Sequence, residues 1–124
     1  MSDLHGLGKE GEAHAWSVLK KRGDKLVARN FTCPVGELDL ITWHGQTLVF
    51  TEVRARSATQ HGTPAETVTQ TKQRRVRRAA EWYLSRSFKQ NLPSCRFDVV
   101  WIVYLDGVVR EYLNLVKRSA VDAG

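Results

Sequence analysis

The run Gly36 to Arg56, "GELDLITWHGQTLVFTEVRAR", constrains the fold more than any other part of the chain. Glu37–Thr42 and Thr47–Ala55 are both rich in β-branched and aromatic residues, and only the short connector "WHGQ" separates them. Two such runs around a central glycine predict a β-hairpin. The second run begins as a buried strand and then carries Glu52, Arg54 and Arg56. A carboxylate taken out of water needs a compensating partner.

Alternation along a strand puts Leu48, Phe50, Glu52 and Arg54 on one face, and Glu37, Asp39 and Ile41 on one face of the partner strand. With His44-Gly45 or Trp43–Gln46 as the loop, Glu37 lies opposite Glu52 and Asp39 lies diagonal to it. A slip of two residues puts Asp39 directly opposite Glu52. In both registers Asp39 and Glu52 share a face, roughly 5–8 Å apart at Cβ. A three-residue loop would separate them. Two neighbouring carboxylates beside apolar Ile41, Leu48 and Phe50 repel each other. Either a divalent cation joins them, or each is a solvated carboxylate neutralised by an arginine.

Around this hairpin the chain alternates helix and strand signals. Leu7 to Arg22 has helical periodicity, with Gly11, Ala15, Val18 and Leu19 as the inward stripe and Gly23 as its stop. Glu12 borders that stripe. Lys25 to Phe31 reads as a strand, and "TCPVG" as a turn. "SATQHGTP" is a loop, with Thr63 as N-cap and Pro64 as first residue of a helix over Ala65 to Ser87. Phe97 to Leu105 is a strand, Asp106-Gly107 a turn, and Val108 to Leu113 its return partner. The order α β β β α β β, with a mixed sheet of about five strands, predicts an α/β or α+β domain. At 124 residues one domain is expected, with its core over about 7–113.

Composition narrows the partners. The net charge is +6, which favours polyanions, nucleic acid first. Helix two carries Lys72, Arg74, Arg75, Arg77 and Arg78. Its inward stripe, Val68, Lys72, Val76, Ala79 and Tyr83, makes Lys72 the cation on the apolar line, while the arginines face outward, as phosphate contacts or as an ordinary solvated face. Cys33 and Cys95 match no metal spacing and read as free thiols in a reducing compartment. The longest apolar run, Val99 to Leu105, is far too short to cross a bilayer, and the N-terminus lacks an apolar h-region. A cytoplasmic protein is expected. "GLGKEG" follows no strand and fails as a dinucleotide fingerprint.

The blocks "GKEGEAHAWSVLKKRG", "ARNF", "GELDLITWHGQTLVFTEVRAR", "GTPAETVTQTKQRRVRRAAEWYL" and "CRFDVVWI" together resemble the bacterial YraN family from about Gly8 to Asp106. That family is similar to the archaeal Holliday-junction resolvases of the restriction-endonuclease-like fold. The resemblance implies a mixed sheet flanked by helices, a metal-dependent nuclease acting on DNA in preference to RNA, and a homodimer. By position it implies Glu12 as the helix acid, Asp39 and Glu52 as the strand acids, and Lys72 as a basic residue on the following helix. Mg²⁺ or Mn²⁺ would be held by Asp39, Glu52 and the Val53 carbonyl. Arg74, Arg75, Arg77, Arg78 and Arg56 would contact the nucleic-acid backbone. Arg54 stands where the nuclease motif has lysine. Arginine stays charged and cannot serve as a base, although it can still stabilise phosphate charge. The two expectations are a metal-dependent endonuclease for branched DNA, or a nuclease-like scaffold that binds nucleic acid or a repair partner without cutting.

Overall fold

The computed structural model describes residues 2–57, 70–105 and 108–116, with side chains described over most of 11–54 and 71–102. The elements are α1 (Ser2–Arg22), β1 (Lys25–Cys33), β2 (Gly36–His44), β3 (Thr47–Ser57), α2 (Gln70–Ser87), β4 (Ser94–Leu105) and β5 (Val108–Val116). The expected α β β β α β β order is the one found. The five strands form one sheet in the order β1-β2-β3-β4-β5. All neighbours are antiparallel except β3 and β4, which run parallel. That parallel step is made by the crossover containing α2, since parallel strands need a long connection.

The two helices cover opposite faces. Ala79, Ala80 and Leu84 of α2 pack on Leu38, Ile41, Leu48, Phe50 and Cys95. Ala15 and Leu19 of α1 pack on Leu40, Val100 and Ile102. The inward stripe expected of α1 is therefore right at Gly11, Ala15 and Leu19, while Val18 is only half-buried. α1 starts earlier than Leu7 and ends where the N–H groups of Gly23 and Asp24 return to the carbonyls of Lys20 and Leu19, each at 3.0 Å. This paired closure satisfies carbonyls that the helix end would otherwise leave open. On α2 the expected stripe holds at Val76, Ala79 and Tyr83. Val68, Thr63, Pro64 and the Asp106-Gly107 turn lie outside the described residues, as does the side chain of Lys72. β1 and β5 run on past Phe31 and Leu113, to Cys33 and Val116.

A buried polar clamp fastens the end of α1 to the sheet. Arg22 donates to both oxygens of Asp24 (2.8 and 2.7 Å) and to Asp98 on β4 (3.2 Å). Arg96 donates to Asp98 from the other side (3.0 and 3.3 Å) and pairs with His44 Nδ1. Thr42 completes Asp24 at 2.7 Å. Burial alone would raise the Asp24 pKa, but the Arg22 fork and the Thr42 hydroxyl overcome it and hold the carboxyl below its usual value. Asp24 and Asp98 thus have charged partners that offset their desolvation.

Two glycines set geometry at the two ends of β2. Gly45, with φ 63°, occupies the first position of a two-residue loop, Gly45-Gln46, between His44 and Thr47. Glycine at that place suits the tight turn that matches strand twist. Gly36 opens β2 directly under α2: a Cβ there would stand 2.9 Å from the Arg75 carbonyl oxygen. The hairpin and the arginine-bearing helix are therefore in near-backbone contact.

Candidate active site

The Gly45-Gln46 loop pairs His44 with Thr47, Ile41 with Phe50 and Leu40 with Thr51. This is the register slipped by two residues, so the next level places Asp39 across from Glu52, not Glu37. The loop lies one residue further along than either placement expected from sequence. The parity that brings Asp39 and Glu52 together is correct.

Strict alternation is not. Leu38 and Ile41 both enter the α2 core, while Leu40 enters the α1 core. Residues three apart should point oppositely in a regular strand. β2 therefore changes phase between Leu38 and Ile41, and Glu37, Asp39 and Ile41 do not form one even row. The β2–β3 ladder ends with Leu40 and Thr51. Beyond it, the Val53 N–H donates to Asp39 Oδ2 at 2.8 Å. A side-chain carboxylate takes the place that a backbone carbonyl fills elsewhere in the ladder.

Asp39 carries an unusual load. Burial pushes its pKa up, and the Val53 N–H pulls it down; Glu52 and Glu12 raise it further, and Arg54 lowers it, leaving it at about 6. All four residues are therefore close enough to act on one β2 carboxyl, although they come from α1 and β3. Glu52 is itself paired: Arg54 donates to its Oε2 at 3.1 Å, with both side chains mostly buried (17% and 18% exposed). Of the two arrangements raised by the sequence, the neutralising arginine is found at Glu52, while Asp39 accepts its hydrogen bond from the neutral Val53 N–H.

Arg54 is only half satisfied. Its Nε is buried without a hydrogen-bond acceptor, as is the Trp101 Nε1 on the residue paired with Arg54 across β3 and β4. Buried donors without acceptors are rare and mark places where a ligand, water or ion completes the structure. The pairing of Trp101 with Arg54 was hidden in the sequence, where Trp101 is one residue of a continuous apolar strand.

The residues fit a hard divalent cation. Among the described residues no three His, Cys, Asp or Glu side chains form a ready-made cage. A cation that keeps several waters needs only one or two carboxylates. Asp39 and Glu52 could provide those, with Glu12 close enough to act on Asp39. Positive charge here would relieve the mutual repulsion that raises the Asp39 pKa.

Arg74, Arg75, Arg77 and Arg78 are all exposed on the N-terminal half of α2. Gly36, three residues before Asp39 on β2, lies against the backbone carbonyl of Arg75. The side chains of Arg56 and Lys72 lie outside the described residues, although the Arg56 backbone pairs with Val103. Cys33 and Cys95 form no disulfide, and Cys95 is buried in the α2 core. Among the described residues no helix is long and apolar enough to cross a membrane.

Residues 11–102, most of the chain and running from within α1 into β4, match the sequence profile of Uncharacterised protein family UPF0102, the YraN family. The chain belongs to this family. It is 44% identical over 115 residues to a UPF0102 protein of Caldicellulosiruptor saccharolyticus, covering 91% of this chain and 95% of that one. A UPF0102 protein of Desulfosudis oleivorans is 41% identical over 116 residues, 94% of this chain and 89% of the other. The UPF0102 protein HEAR0176 of Herminiimonas arsenicoxydans is 47% identical over 96 residues, 77% and 76% of the two chains. The matched region contains Glu12, Asp39, Glu52, Arg54 and the α2 arginines.

Proposed function

We propose that this UPF0102 protein is a metal-dependent nuclease-like protein that acts on nucleic acid, with DNA, including branched DNA, as its substrate. The observation that carries this reading is the convergence of Glu12, Glu52 and Arg54 on the half-buried Asp39 carboxyl. Clustered carboxylates cost stability when nothing joins them, and strongly shifted groups of this kind mark functional sites. Asp39, Glu52 and the Val53 carbonyl would hold Mg²⁺ or Mn²⁺. The cation would supply Lewis-acid activation and charge neutralisation for phosphodiester hydrolysis.

The chain's own residues divide the remaining work. The Val53 N–H fixes the direction of Asp39. Arg54, joined to Glu52 through one nitrogen, has a second nitrogen without an acceptor, and a phosphate oxygen is the acceptor it lacks. Arg74, Arg75, Arg77 and Arg78, exposed on α2, would contact backbone phosphates without reading sequence. Glu12 stands on the α1 side, where it can orient water. Lys72, whose backbone lies on the first described turn of α2, would add an amine.

The test is incubation of the protein with a four-way DNA junction, a hairpin and a single strand in Mg²⁺ or Mn²⁺, beside Glu52→Gln. Cleavage by the native protein and its loss in the variant support the assignment. Cleavage unchanged by Glu52→Gln removes it.

A binding-only scaffold is the second reading, favoured by one observation: the residue at the lysine position is an arginine already tied to Glu52. It predicts salt-sensitive DNA binding with no turnover in either metal.

A further inference from the structure

The phase change in β2 has a counterpart in β1. Asn30, in the middle of that strand, has φ 53°, the left-handed region. It is the only non-glycine residue there among those described. The β1–β2 ladder pairs Arg29 with Leu40 and Phe31 with Leu38, and the level between them, Asn30 opposite Asp39, is missing. Both strands lose alternation at this level. Ala28 and Phe31, three residues apart, pack on the α2 core, as do Leu38 and Ile41 on β2. Leu40, between the latter two, goes to the α1 side. The asparagine of the "ARNF" block is thus placed across from the carboxylate that takes up the Val53 N–H.

We infer that Asn30 is a positioning residue for Asp39. Its left-handed conformation breaks the ladder at one level. That break lets β2 rotate by one step, so that Asp39 turns out of the row above Ile41 and toward Val53, Glu52 and Glu12. Asparagine enters this region at little cost, whereas a β-branched residue there is a true outlier. Irregularities that re-aim a side chain are common beside active sites. Protection of the sheet edge is not a sufficient account. β1 is the edge strand and has a separate irregularity between Leu26 and Ala28. The change at Asn30, by contrast, is shared with β2, which is an interior strand. The importance of Asn30 for function rests on the site assignment above, but its effect on Asp39 does not.

The experiment is amide hydrogen exchange of Val53 without metal or DNA, in the native protein, Asn30→Gly, Asn30→Ala, Asn30→Val and Asp39→Ala. The last variant removes the acceptor and defines the unprotected rate. Glycine retains the left-handed conformation, so Asn30→Gly keeps native Val53 protection. Asn30→Val moves Val53 toward the Asp39→Ala rate, and Asn30→Ala does so in part. If the valine variant does not fold, the alanine and glycine pair decides the matter. Calorimetry with Mn²⁺ on the same variants is expected to show affinity about 10- to 100-fold weaker for valine or alanine and unchanged for glycine. Native Val53 protection in folded Asn30→Val, or equal loss in Asn30→Gly, overturns the inference. So does a native Val53 rate equal to that of Asp39→Ala. Native protein that shows the exchange pattern but takes up no Mn²⁺ leaves the positioning role standing and counts against the site assignment instead.

Discussion

The Val53 N–H donates to Asp39 Oδ2 at 2.8 Å, one step beyond the last backbone pair joining β2 and β3. This bond holds a carboxylate from one strand against the residue between Glu52 and Arg54 on the next. It also makes the site testable without knowledge of the substrate, because Asp39 reports on its surroundings through its ionisation.

With a folded pKa of about 6 against a usual 3.8, Asp39 binds its proton more tightly in the folded chain. Below the usual value it is protonated in both states and the shift has no effect. As pH rises from about 4 to about 6, the unfolded chain ionises first, so folding loses stability. The loss reaches roughly 3 kcal/mol at neutral pH. Asp39→Asn keeps an oxygen for Val53 and has no charge to bury. It should therefore raise the melting temperature at pH 7.5 and leave it nearly unchanged at pH 4, as measured by calorimetry. Saturating Mg²⁺ should narrow the difference at pH 7.5.

Arg54→Lys restores the residue type of the nuclease motif. It keeps a cation beside Glu52 and adds an amine that can exchange protons. Turnover in a cleavage assay is expected to rise by about 10-fold or more. Arg54→Ala should abolish it, because Glu52 then loses its paired charge.

The exposed arginines of α2 are the phosphate contacts in the proposed function. Removing Arg75 and Arg78 together should weaken binding to all DNA sequences alike and reduce the slope of log affinity against log salt by about 2. Fluorescence anisotropy across a salt series measures both effects. The thermal midpoint should barely move, because both side chains face solvent.

Gly36→Ala would push a methyl group into the Arg75 carbonyl, which is backbone and cannot swing aside. A loss of about 1–3 kcal/mol in urea unfolding is expected. DNA affinity should fall with it, since α2 must shift relative to β2.

Much of this was legible in the sequence because periodicity and turn chemistry are local. The hairpin and the odd-numbered parity joining Asp39 to Glu52 follow from side-chain alternation around one glycine turn, and helical periodicity gives the parts of the two stripes at Gly11, Ala15, Leu19, Val76, Ala79 and Tyr83. The exact register did not follow, because several loops around Gly45 have the same parity. The break at Asn30 did not follow either. A single left-handed residue leaves no periodic trace, and only the unusual presence of asparagine inside a strand run hints at it. The clamp of Arg22, Asp24, Arg96 and Asp98 was hidden for a different reason: its members meet across 76 residues of chain and sit on no shared motif.

The most direct test of the central claim, that Asp39 and Glu52 form a cation site, is calorimetric titration with Mn²⁺ in the presence and absence of DNA. The native protein is expected to bind the ion in at least one of these conditions, and Asp39→Asn and Glu52→Gln are each expected to abolish the heat while remaining folded. Equal binding in all three proteins, or none in the native protein under either condition, would contradict it.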